Sequence, residues 1–286
     1  MKVIFKEHTM NRRSIISIAL GTAFLPATAV FAQSFDHNYS TWTTLLAKHV
    51  KWLPDNKQSR ANYKGFAADR AELKSVLDGL SVVSQAQFNA WSKEQQMAFL
   101  INAYNAFTVE IILTKYPDIK SIKELGSFNR GPWKNEFFTL LGAKRHLDWI
   151  EHEQLRPKYA EPRIHVAVNC ASIGCPALFP EAFTATKMEA MLEDGMRRFL
   201  GDRTRNKYEP GTDTGRQVGK LQVSNIFKWF KEDFEKGNKG FTKLEDVFAK
   251  YADLLSPDET ARNQIRAKTV SISHLDYDWS LNDAGR

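Results

Sequence analysis

Residues 92–117 read SKEQQMAFLINAYNAFTVEIILTKYP, and this stretch decides the architecture. Met97, Leu100, Ile101, Tyr104, Phe107, Ile111 and Ile112 recur at helical spacing, which predicts a long helix from about Ser92 to Lys115. Ser92 has the chemistry of an N-cap, Glu94 and Gln95 fall in the first turn, and Pro117 stops the run. The helix is apolar nearly all round, so it belongs at the centre of a fold. Asn102 and Asn105 interrupt it three residues apart, on one side. A buried amide without partners costs about 1–3 kcal/mol, so both are expected to hold a neighbouring loop, to line a site, or to do both.

On either side of this helix the chain alternates short helices with a few strands. Helices are predicted at Trp42–Val50 and Ala68–Leu77, and a hairpin over Phe137–Leu147 turning at Gly142-Ala143-Lys144. Asp148 is read as the cap of a short helix, Trp149 to Leu155. Arg163–Asn169 alternates Ile164, Val166 and Val168 with His165 and Ala167, the pattern of a central strand ending at Cys170. Helices follow at Ala185–Leu200 and Leu244–Tyr251, a strand-then-helix at Gln222–Lys236, and a last strand at Thr269–Ile272. The expectation is one α+β domain over residues 33–286, with the long helix packed on a small, mostly antiparallel sheet.

The 286 residues are 43% hydrophobic and 26% charged, an ordinary globular composition. The net charge is +7, and residues 1–32 carry +3 of it through Lys2, Lys6, Arg12 and Arg13 against Glu7. The remaining excess is too dilute for a nucleic-acid-binding face. Residues 10–32 have a basic start, an apolar run from Ile15 to Leu25 and a small-residue end at Val30-Phe31-Ala32, the layout of a secretory signal peptide cleaved after Ala32. The apolar run is short for a membrane span. The expectation is a periplasmic or secreted protein with no membrane span after cleavage; an N-terminal anchor is the alternative.

Cys170 and Cys175 are the only cysteines. Cys170, at the expected strand exit, would sit on a loop whose backbone amides can face an oxyanion. A thiol nucleophile needs a nearby base or cation. His152 is preferred to His165, because alternation along a strand would turn His165 and Cys170 to opposite faces. Glu151, three residues after Asp148, also fits a capping box. The competing readings of the cysteines are a disulfide in an oxidising compartment and, at poor spacing, a zinc site. No cofactor or metal is expected.

Five blocks carry a resemblance: Phe99–Phe107, Leu147–His152, Ile164–Ser172, Val223–Phe230 with Asp233-Phe234, and Tyr277–Asn282. In this order, over about residues 90–282, they resemble the domain of unknown function 547 family. That family is similar to papain-like and transglutaminase-like thiol enzymes. In those folds a Cys opens the central helix and the His follows. Here the central helix carries Asn102 and Asn105 and no Cys, so the resemblance implies a permuted or catalytically dead core. The functional expectation is a Cys–His thiol hydrolase or acyl-transferase acting on amide bonds of a peptide or small molecule in the cell envelope. Cys170 would be the nucleophile, His152 the base, and Asn102, Asn105 or Glu151 supporting groups. The alternatives are a non-catalytic ligand-binding module and a disulfide-stiffened scaffold.

Overall fold

The computed structural model describes residues 1–4, 35–127, 130–211 and 218–285. The signal-peptide reading falls on residues outside these. Phe35–Arg286 forms one compact α+β unit, rich in helix with small sheets.

The long helix, Lys93–Leu113, runs through its centre and is buried on nearly every side. Ser92 and Gln95 form a capping box: Ser92 Oγ accepts from Gln95 N–H at 3.2 Å, and Gln95 Oε1 accepts from Ser92 N–H at 3.0 Å. The helix is long and apolar enough to cross a membrane, but 94% of its most apolar window is covered by the rest of the protein. It packs chiefly on other helical segments, Tyr63–Ala68, Arg70–Ser81 and Trp149–Leu155. It also meets a small sheet, where Phe107 stacks on Phe138 with ring centroids 3.9 Å apart. Phe138 belongs to the hairpin of Phe138–Leu140 and Ala143–Arg145. The hairpin turns one residue earlier than expected, at Leu141 (φ 52°) and Gly142 (φ 81°), because a tight two-residue turn needs positive φ at both positions.

A second apolar cluster gathers Met196, Phe199, Phe227, Phe234, Phe248 and Tyr251. It covers the three-stranded sheet Lys207–Glu209, Lys220–Ser224 and Ser271–Leu275, whose first pair is antiparallel and second parallel.

Two local expectations are corrected. Residues 163–169 are not a strand: Pro162–Val166 is a 3-10 helix. Pro162 sits in its first turn, where a missing N–H costs nothing, and the Glu161 carboxylate accepts from Arg163 N–H at 3.0 Å. The whole segment is buried, so the alternation of residue types marks no face. Nor does Asp148 cap the next helix. The Trp149 N–H donates to His146 Nδ1 at 2.9 Å, and Asp148 is itself helical. Trp149–Leu155 is wound as a π-helix, a form frequent at functional sites. Glu151 is thereby freed from a capping role and turned into the interior.

Candidate thiol site

Asn169 closes the cysteine loop. Its N–H donates to Asn105 Oδ1 at 2.8 Å, while Asn105 Nδ2 donates to the Ala167 carbonyl at 2.9 Å. Its own amide accepts from Ala171 N–H at 2.9 Å and donates to the Pro176 carbonyl at 2.7 Å. This last bond draws the two ends of the loop together. Ala171 takes a left-handed conformation, φ 64°, a cost of about 1–2 kcal/mol that the surrounding bonds must outweigh. Cys170 and Cys175 are thus brought side by side as free thiols, Sγ to Sγ 3.2 Å. Cys170 is partly exposed and Cys175 buried.

A returning segment, residues 276–283, completes the arrangement. Ile173 N–H donates to the Ser280 carbonyl and Gly174 N–H to that of Asp278, each at 2.8 Å. Gly174 is required by this crossing, since a Cβ there would lie 3.0 Å from Asp278 N and O and from Tyr277 Cδ1. The Tyr277 hydroxyl consequently lies 3.3 Å from Cys170 Sγ and 2.9 Å from Ser172 Oγ, which is itself 3.1 Å from the thiol.

These donors set the acidity. Hydrogen bonding with Cys175 is the largest influence on Cys170; with Ser172 and Tyr277 it outweighs burial and brings the Cys170 pKa down to about 7. Burial, then the neighbouring Cys170 sulfur, push Cys175 well above the usual thiol range. Among the described residues no histidine is a hydrogen-bond partner of Cys170.

Both histidines nevertheless line the same cavity as Cys170 and Cys175, a space of about 180 Å3. Its walls include Trp133, Trp229, Tyr277 and Trp279, with Tyr104 from the long helix, Glu151 from the π-helix and Asp148 just before it. His165 is fully enclosed. Its Nε2 is 2.9 Å from Asp233 Oδ2, and its ring stacks on Phe230 with centroids 3.8 Å apart. Its Nδ1 has no hydrogen-bond partner and lies 3.6 Å from Glu151 Oε1, an ion-pair distance. His152 is exposed, with Nδ1 2.9 Å from an Arg156 nitrogen and Nε2 3.7 Å from Asp148.

The carboxylates around His165 are tuned by it. Burial alone would raise Asp233; hydrogen bonds with His165, Arg156 and Lys236 reverse this and hold it well below the usual carboxylate range. Burial likewise opposes ionisation of Glu151, and His165, His152 and Tyr104 outweigh it. At Asp148 burial prevails and raises the pKa.

The residues expected from the sequence are therefore gathered unequally. Cys170, Glu151 and His152 share the cavity, and Asn105 supports the loop behind the thiol. Asn102 does not face the cysteine loop: it pairs with the backbone of Phe183, donating to its carbonyl at 2.7 Å and accepting from its N–H at 3.0 Å. The preference for His152 over His165 rested on a strand that is not there. Asp233, Tyr277 and Ser172 had no assigned role, although each lies in a block that carried the family resemblance. Among the described residues no group of three or more His, Cys, Asp or Glu side chains is arranged to hold a metal ion.

No curated protein and no solved structure matches the chain. A family model does match, over residues 88–200, a span that holds Asn102, Asn105, Glu151, His152, His165, Cys170 and Cys175. The model is that of the family described as Protein of unknown function, DUF547, and the likeness is confined to residues 88–200.

Proposed function

We propose that the protein is an exported thiol hydrolase or acyl-transferase of the cell envelope that acts on amide bonds, with Cys170 as nucleophile and His165, rather than His152, as the general acid–base group. The observation that carries this reading is that a thiol with pKa about 7 and a carboxylate-held imidazole line one aromatic-walled cavity.

With that pKa a large share of Cys170 is thiolate near neutral pH, so its ionisation needs no histidine. The thiolate attacks the amide carbonyl carbon, and the carbonyl π pair moves onto oxygen. The Tyr277 hydroxyl, 3.3 Å from Sγ and accepting from Ser172, is the proposed donor to that oxyanion. As the C–N bond breaks, protonated His165 gives the leaving amine its proton. Water or an acceptor amine then attacks the thioester while His165 takes its proton. Asp233 on Nε2 stabilises the imidazolium. The exposed Trp229, stacked on Trp279 at 5.7 Å, offers a flat apolar platform for the substrate at the rim.

The test is a panel of short peptidyl anilides with trapping of the acyl-enzyme. Turnover that vanishes in Cys170→Ala, with an acyl mass on Cys170 in the wild type, is the expected result. A His165→Ala change should lower kcat by roughly 10²–10⁴-fold, and His152→Ala far less. Turnover that survives Cys170→Ala, or that depends on His152 and not on His165, would overturn the assignment.

A further inference from the structure

We infer that Cys170 and Cys175 form a reversible dithiol–disulfide couple, in which Cys170 attacks small disulfides entering the cavity and Cys175 resolves the mixed disulfide. This goes beyond acyl transfer, because it gives Cys175 a chemical role.

Three observations carry it. First, the sulfurs are 3.2 Å apart as free thiols, so bond formation needs them to close to about 2.05 Å with no rearrangement of distant chain. The Asn169 bond to the Pro176 carbonyl already holds the loop shut in the reduced protein, and Arg205 grips the Cys175 carbonyl. Second, access is asymmetric. Both thiols line the cavity, but Cys170 is partly exposed there and Cys175 is buried. A disulfide from solvent meets Cys170 first, as an attacking and a resolving thiol require. Third, the Cys170 N–H donates to Cys175 Sγ at 3.1 Å. This bond strengthens when Cys175 becomes a thiolate, so the resolving sulfur is stabilised at the step where it must ionise. The acidity of Cys170 agrees with the attacking role.

The chemistry balances with a low-molecular-weight disulfide, RSSR, as oxidant. The Cys170 thiolate attacks one sulfur, the R–S–S–R bond breaks, and the departing thiolate takes a proton to leave as RSH. Cys175 gives up its proton and attacks Cys170 Sγ, breaking the mixed disulfide. The second RS⁻ accepts that proton and leaves as RSH. The protein ends with a Cys170–Cys175 disulfide, oxidised by two electrons, and two RSH are formed. Excess thiol runs the sequence backwards. The cavity of about 180 Å3 beside Cys170 has room for one small R group.

The experiment uses the full, folded, reduced protein with bis-hydroxyethyl disulfide, acid quenching and intact mass. The wild type should lose two hydrogens and keep no adduct, and excess small thiol should restore its mass without unfolding. Cys175→Ala should instead accumulate one hydroxyethylthio adduct, on Cys170, and Cys170→Ala should acquire none at Cys175. Cys175→Ser serves if the alanine variant fails to fold. A wild type that retains a stable adduct overturns the couple. So does a crosslink that excess thiol cannot reduce in the folded protein, since that marks a structural bridge. These masses do not depend on turnover, so an inactive acyl-transferase would leave them unchanged.

Discussion

Tyr277 reaches Cys170 across 107 residues of chain, its hydroxyl 3.3 Å from the thiol sulfur. A donor at that distance favours the thiolate over the thiol, so removing it raises the thiol pKa. In Tyr277→Phe the midpoint of iodoacetamide alkylation plotted against pH should move up from about 7, and Ser172→Ala should move it the same way. Unmoved midpoints in both variants would show that these hydroxyls do not tune the sulfur.

The ion cluster on Asp233 makes a statement about acid stability. Its pKa is depressed in the folded protein, by His165, Arg156 and Lys236 against burial. Its contribution is therefore fully present above the unfolded carboxylate pKa of roughly 4, and is lost as pH falls from there towards the folded value. Asp233→Asn should cost about 2–4 kcal/mol at neutral pH, below the figure for a fully buried pair because Arg156 and Lys236 reach solvent. Urea unfolding at pH 7 and pH 3 should show the gap between wild type and variant narrowing in acid. A constant gap would place the cost in packing instead.

The two asparagines of the long helix should separate by function. Each pairs with a buried N–H and a buried carbonyl. Replacing either by Ala should therefore destabilise by about 2–4 kcal/mol. Asn105→Ala releases the backbone just before Cys170 and should also slow alkylation of that thiol. Asn102→Ala loosens the Phe183 segment and should not. Equal alkylation rates in the two variants, measured well below their melting points, would contradict this division.

Gly174→Ala tests the crossing of the returning segment. The added Cβ would sit 3.0 Å from the Asp278 backbone and from Tyr277 Cδ1, so the segment has to shift. The expected cost is about 1–3 kcal/mol, as for overpacking elsewhere, with a rise in the Cys170 pKa as Tyr277 moves. A stable variant with an unaltered alkylation profile would mean that the crossing is looser than its geometry.

The fold was legible where local chemistry and periodicity agree. Ser92 with Gln95 and the apolar run behind them mark the long helix, and the hairpin follows from its glycine turn. Legibility failed where a local pattern had two physical meanings. The alternation in residues 163–169 reads as a strand only if one face is exposed, and neither is. The spacing of Asp148 and Glu151 fits a capping box, but His146 takes the cap. Near the cavity, the hold of Asn105 on the backbone before Cys170 matches what its place in the long helix suggested. The carboxylate on His165 and the hydroxyl on Cys170 could not be read from the sequence, because they arrive from 68 and 107 residues away and no local pattern encodes such pairings.

The long reach from Cys170 to Tyr277 also orders events in time. A ribosome working at about 5–20 residues per second delivers Tyr277 roughly 5–20 s after Cys170. During that lag the sulfur lacks the hydroxyl that lowers its pKa, and residues 276–283 have yet to dock against its loop. The newborn thiol is correspondingly less acidic than in the finished fold. The acidity of Cys170 is thus completed only as the fold closes, when the Tyr277 hydroxyl adds to the influence of Cys175 and Ser172.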